Sequence, residues 1–372
     1  EPMPYPEVDA ALRAALKTPE GRLRVGMLHS LGRRGDVTAV PALTALLSSN
    51  DTLSADAAAN ALGKIATPPA VAALTNVLKK EKAKPGLVKT AADALFDAAE
   101  KLAAEDKKHF AAKIYDTLRE NPAVSEPIRA AALRGAILNR GFKQGGALMM
   151  AALKGEDDSQ FDAALRTARE IKGTPRTNVV LGNVLAELPG ERKIPLIDVL
   201  GQRGGTAAGA AVLDAAKAGA PEVQIAAIRA LTRMRHAPAL PTIAELAQSE
   251  DKLLADTARD ALSYFPGAAG DAFLLALLDT TDPGGRQLAI ELAGQGAIDI
   301  ANDRLLRFAK TDTSEDVRIA ALKTLKQTAT EDDLGGLLSR MCDADSKVEL
   351  TAGEDALRSL CNRQKTALGG KI

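Results

Sequence analysis

The sequence predicts an all-α fold: a right-handed α/α superhelix, or α-solenoid, of about eleven stacked helical hairpins. Three observations predict it. A nine-residue apolar phrase recurs at a nearly fixed period, a shorter apolar pattern sits between successive copies, and no stretch alternates apolar and polar residues as a half-buried strand would. Composition points the same way. Alanine fills 72 of 372 positions while aromatics make up 3% and Trp is absent, so packing rests on small, helix-favouring side chains.

The phrase is clearest at 317–325, VRIAALKTL, where Val317, Ala321, Leu322 and Leu325 fall on one side of a helix at offsets 0, 4, 5 and 8. It returns as LRVGMLHSL from Leu23, LVKTAADAL from Leu87, IRAAALRGA from Ile128 and VQIAAIRAL from Val223, with weaker copies between. The last residues of the copies are Leu31, Leu62, Leu95, Ala136, Ala168, Leu200, Leu231, Leu262, Leu292, Leu325 and Leu357. All but one interval lie between 30 and 33 residues. The exception, 41 residues from Leu95 to Ala136, predicts longer helices through KLAAEDKKHFAAKIYDTLRENPAVSEP, with a bulge or a bend of the superhelix there.

Between phrases, VPALTALL from Val40, PAVAALTNVL from Pro69 and PTIAELA from Pro241 supply a first helix for each hairpin. Pro suits a first helical turn, where its missing N–H costs nothing. Loops such as Arg33-Arg34-Gly35-Asp36 and Thr280-Thr281-Asp282-Pro283-Gly284-Gly285 carry turn residues. The expected organisation is one solenoid over 1–363, with 364–372 as a C-terminal tail or linker. A single hairpin cannot bury its stripe, so neighbours must stack around a shared core.

The phrase VRIAALKTL, the period and the leading Pro resemble HEAT repeats, particularly the short PBS-lyase HEAT-like kind, and so an armadillo-type superhelix. The resemblance covers nearly the whole chain. The family's intra-repeat Asp and Arg match Asp312 and Arg318 in the tenth hairpin, and the Arg alone matches at Arg24 and Arg129. Most other repeats lack the pair. The resemblance implies that second helices line the concave surface.

Several classes are excluded. No run of eighteen apolar residues exists, so no helix spans a bilayer. Two cysteines, Cys342 and Cys361, cannot build a disulfide framework, and their places at opposite ends of the last hairpin predict free, buried or partly buried thiols. His29, His109 and His236 lie more than two periods apart, and HExxH, GxSxG, Walker and CxxC motifs are missing. Asp343, Asp345 and Glu349 resemble an EF-hand loop only weakly, because Lys347 and Val348 stand where a ligand and Gly belong. No enzyme, cofactor or metal is expected. The start at Glu1 and the Pro-rich EPMPYPE fit removal of a secretory signal, so the expected location is periplasmic or secreted, with the cytoplasm as alternative.

Offsets 2, 6, 9 and 10 of each phrase face away from the stripe and form the candidate binding face, including His29, Ile225, Tyr264, Arg286 and Ile290. The chain carries 48 basic and 48 acidic side chains, but residues 119–240 hold 17 basic against 12 acidic. There Arg134, Arg166, Arg169, Arg203, Arg229 and Arg233 are the candidate partner-binding residues. The expected function is a non-enzymatic protein-binding scaffold whose partner bears acidic patches. The alternatives are an accessory or lyase-like subunit cradling a chromophore or peptide, or a repeat segment of a larger protein. Zero net charge and the missing Trp argue against nucleic acid.

Overall fold

A computed structural model describes residues 5–16, 21–80, 84–172 and 174–369. Among these the chain forms 22 α-helices, three short 3-10 turns and no strand, which pair into the eleven hairpins that the period predicts. Packing divides it into two compact units, 1–172 and 173–372.

Unit 1 holds five hairpins: α1 (Pro6–Ala15) with α2 (Arg22–Arg34), α3 (Val40–Leu46) with α4 (Thr52–Ile65), α5 (Pro68–Lys79) with α6 (Pro85–Ala104), α7 (Lys108–Arg119) with α8 (Glu126–Leu138), and α9 (Phe142–Lys154) with α10 (Asp158–Glu170). Unit 2 holds six: α11 (Pro175–Glu187) with α12 (Gly190–Arg203), α13 (Gly209–Ala218) with α14 (Pro221–Arg233), α15 (Leu240–Leu246) with α16 (Lys252–Ser263), α17 (Ala268–Leu277) with α18 (Pro283–Gly294), α19 (Asn302–Thr311) with α20 (Glu315–Thr328), and α21 (Leu334–Cys342) with α22 (Lys347–Gly369).

Second helices start on a recurring cap. Asp51, Asp157, Asp251 and Asp282 each accept a hydrogen bond from a backbone amide in the first turn of α4, α10, α16 and α18. At α18 the cap serves two amides, Gly284 N at 3.2 Å and Gly285 N at 2.7 Å. Replacing Asp282 by Ala is expected to lower the stability of unit 2 by about 1 kcal/mol, the typical worth of such a cap. Equal unfolding midpoints for wild type and variant would contradict this. At the other end of a helix, Gly35 closes α2 in the left-handed conformation at φ 69°, where a Cβ would be strained.

The apolar stripes of neighbouring hairpins meet in shared core clusters. In unit 1 one cluster runs from Leu16 to Ala136 and in unit 2 one runs from Leu278 to Leu360. Within each unit consecutive second helices pack against one another far more extensively than consecutive first helices, except at α6–α8 and α16–α18. A recurrent glycine just after the phrase permits this approach. A Cβ on Gly32 would lie 2.7 Å from Ala61 Cα, on Gly63 2.5 Å from Ala94 O, on Gly201 2.9 Å from Ala230 Cα and on Gly294 2.8 Å from Thr324 Oγ1. At the last of these seams Thr324 Oγ1 donates to Ile290 O across hairpins at 3.1 Å.

The 41-residue interval has a clear cause. α6 extends to 20 residues, and α7 wedges between α6 and α8 through the fully buried Tyr115. Its ring meets Phe96 edge-on at 5.6 Å and its hydroxyl donates to Glu100 at 2.6 Å. The lengthening therefore lies in α6, while α7 keeps an ordinary 12 residues.

Three expectations need correction. The stretch from Gln364, read as a tail, continues α22 to Gly369, and 370–372 lie outside the described residues. Cys342 and Cys361 are free but exposed, because both sit off the apolar stripe of their helices. Arg286 and Ile290, read as surface positions, are buried, as is Ile225. For the ninth hairpin the reason is register: GRQLAIELA from Gly285 aligns with VRIAALKTL, placing Arg286 opposite Arg318 and Ile290 opposite Leu322. Ile225 sits where Ile319 does in the tenth hairpin, and both pack towards the neighbouring helices.

Candidate binding surfaces

The exposed face of the second helices is a layer in each unit. In unit 1, Arg134 on α8 donates from Nε to Glu170 Oε2 on α10 at 2.7 Å, with both side chains about half exposed. On α10, Arg166 and Arg169 are exposed. Arg166 makes no hydrogen bond or ion pair among the described residues.

Unit 2 repeats the pattern. Arg233 on α14 donates to Asp198 on α12 at 2.9 Å. Arg203, at the end of α12, is half-buried and donates from Nε to Asn178 Oδ1 at 2.8 Å, and burial pulls its guanidinium below the usual arginine range. Arg229 is exposed and, like Arg166, is unpaired among the described residues. With Arg233, Thr232, Thr257, Asp260 and Ala261 it lines an open depression of about 290 Å³. The six arginines thus fall into two sets of three, one per unit. Arg134, Arg203 and Arg233 are held by internal partners, leaving Arg166 and Arg229 available.

The histidines do not converge on a site. His29 and His109 are exposed, and His236 sits in a loop with its Nδ1 buried and unpartnered among the described residues, where burial pushes its pKa down. Among the described residues no group of His, Cys, Asp and Glu is placed to hold a metal ion.

Two features escaped the sequence reading. One is an apolar groove of about 520 Å³ in unit 1, lined by Ile65, Val71, Ala72, Leu102 and Ile114 among others. Its only sequence signal was the long interval that produces α6 and α7. The other is a polar relay through the last hairpins. Arg286 makes a bidentate pair with Asp312 at 2.8 Å to each oxygen, and Arg318 reaches Glu349 at 2.6 Å and Asp345 at 3.1 Å. Arg340 also donates to Glu349. The Asp312 and Arg318 that match the family pair meet only at the Asp312 carbonyl, at 2.9 Å; their charged groups bind neighbouring hairpins instead. Arg286 and Arg129 likewise donate to carbonyls of the preceding loop, Thr280 O at 2.9 Å and Val124 O at 3.1 Å. The weak EF-hand pattern is thereby accounted for: Asp345 and Glu349 serve arginines.

The HEAT-repeat family matches residues 8–96 and 209–294, so the chain carries HEAT repeats in both units. No curated protein matches it. Among solved structures, the karyopherin Kap121p bound to the extreme C-terminus of the protein phosphatase Cdc14p is 13% identical, with 97% of this chain covering 46% of that one at a TM-score of 0.48. Human deoxyhypusine hydroxylase in complex with glycerol is 16% identical over 69% of this chain and 95% of its own, TM-score 0.30, and an engineered protein is 18% identical over 95% and 98%, TM-score 0.29. The chain spans about half the length of the Kap121p chains it resembles. No helix of the described residues is long and apolar enough to cross a membrane.

Proposed function

We propose that this chain is a non-enzymatic scaffold that binds a protein partner bearing acidic patches through the exposed side of its second helices. The observation that carries this reading is the state of Arg166 and Arg229: both project from the second-helix layer without an ion pair among the described residues, beside arginines that Glu170 and Asp198 hold in place. A free guanidinium next to preoriented ones suits carboxylates on an opposing surface. Single exposed ion pairs contribute only about 0–1 kcal/mol, so recognition needs several together and weakens with salt. The wide separation of His29, His109 and His236 along the sequence is what the non-enzymatic part of this reading rests on.

The test is capture of binding proteins by wild type and by the Arg166→Glu, Arg229→Glu double variant at low and high salt. Both positions are exposed, so the fold and helix content are expected to survive. Proteins retained by wild type should be lost to the double variant and released by salt. Equal retention in all four conditions would refute recognition through the arginines.

A further inference from the structure

The groove in unit 1 lies at the helix ends that join the second, third and fourth hairpins and shares no lining residue with the arginine face. Its walls come from the end of α4 and the link to α5 (Ile65 to Pro68), the first turns of α5, the overhanging end of α6 and the first turns of α7. Its volume of about 520 Å³ falls within the about 300–1,000 Å³ that ligand pockets occupy. Phe110 stands on the lip, 52% exposed, beside the apolar lining.

The rim is cationic. Lys101, Lys107 and Lys113 surround the opening against the single acid Glu105. Lys107 is engaged with Glu105 at 2.7 Å and Lys101 donates to Lys64 O at 2.6 Å, while Lys113 is exposed and unpaired among the described residues. Two further features mark the wall. The Thr67 hydroxyl is buried without a hydrogen-bond partner among the described residues, and Ala66 adopts the left-handed conformation at φ 58°, a costly state for a residue with a Cβ.

From the apolar lining, the exposed aromatic lip and the lysine rim, we infer that this groove docks an acidic peptide segment of a partner protein, whose apolar side chain fills the cavity while flanking carboxylates meet Lys101, Lys107 and Lys113. Burying an anchor of this kind supplies affinity, and the surrounding charges supply selection. This site is independent of the arginine face, and either can fail while the other stands.

The test is selection of short random peptides displayed on phage against the full chain, followed by synthesis of the enriched sequences and measurement of their affinity by fluorescence anisotropy. The expected binders carry a bulky apolar residue flanked by Asp or Glu. Ala72→Trp fills the groove from an exposed position, and Phe110→Asp removes the lip and adds repulsion; each should weaken binding by about tenfold or more. The Arg166→Glu, Arg229→Glu variant should bind these peptides as wild type does. Circular dichroism of each variant confirms that the helices persist. No enrichment, enriched peptides without acids, or affinity indifferent to Ala72→Trp would overturn the inference. Decanoate binding in the groove without any groove-dependent peptide would also overturn it, in favour of a small hydrophobic acid.

Discussion

Replacing Glu349 by Ala is expected to destabilise the last two hairpins by about 3–5 kcal/mol, the cost of stripping one partner from a buried ionic group. Glu349 is 1% exposed, and its carboxylate takes hydrogen bonds from Arg318, Arg340 and the Asp345 amide. Without it, two guanidinium groups are left together in a largely buried setting. Repeats in a stack are held by their neighbours, and this carboxylate ties α22 to α20 and α21, so the loss should appear as local opening before global unfolding. Hydrogen exchange in α21 and α22 should accelerate while α12 and α14 stay protected. Adding Arg318→Met and Arg340→Met to the Glu349→Ala background should recover much of the loss, because no unpaired charge remains. Unchanged protection of α22 in the single variant would show that the triad is not what fixes this hairpin.

The same relay sets a pH dependence. Burial opposes ionisation of Glu349 and of Asp312, yet hydrogen bonds from Arg318 and Arg340 to the first, and from Arg286 to the second, outweigh it and hold both carboxyls below their usual range. A folded value below the unfolded one, about 3.9 for Asp and 4.3 for Glu, means that this stabilisation is complete above those values. It disappears as the pH falls through the lower, folded values. Acid opening should therefore begin below about pH 4 at α19–α22.

Gly63→Leu is expected to be nearly as costly, about 3 kcal/mol, at the upper end of overpacking effects, since the colliding group is backbone that cannot rotate away. The first added carbon already lies 2.5 Å from Ala94 O, and Gly201→Leu meets Ala230 Cα in the same manner. Gly26 supplies the control. It lies in α2 with nothing within 4 Å of an added Cβ, so Gly26→Ala should stabilise by about 0.5–1 kcal/mol through helix propensity alone. The urea midpoints of Gly63→Leu and Gly201→Leu should fall while that of Gly26→Ala rises. A common direction would mean that the glycines have no packing role.

The fold was legible because its information is periodic and local: offsets 0, 4, 5 and 8 located the hairpins, and Pro marked many of the first-helix starts. In the ninth hairpin Gly285 leaves offset 0 without an apolar marker, so the pattern points to Leu292 as the phrase end where the structure has Ala293. Glu349 at an apolar offset was a visible anomaly. Its partners stand 31 and 9 residues away, and only the folded stack shows which charges meet. The arginine positions were placed on the correct helices, whereas their pairing with Glu170, Asp198 and Asn178 depends on side-chain reach between helices. The groove follows from the overhang of α6 past α4, a property of spacing between hairpins that a repeat pattern averages away.

The glycine seams also determine how each unit bends. Where Gly32 and Gly63 bring second helices into backbone contact, the material is stiff, while the first helices opposite are more loosely joined. A stack built this way has its neutral axis along the seams, like a book with its spine on one side. Flexing leaves the seam spacing unchanged and spreads or closes the first-helix leaves. In unit 1 the leaves next to the groove are α5 and α7, so a side chain wedged there would work at the fore-edge, where a small local opening produces the largest change of angle between hairpins.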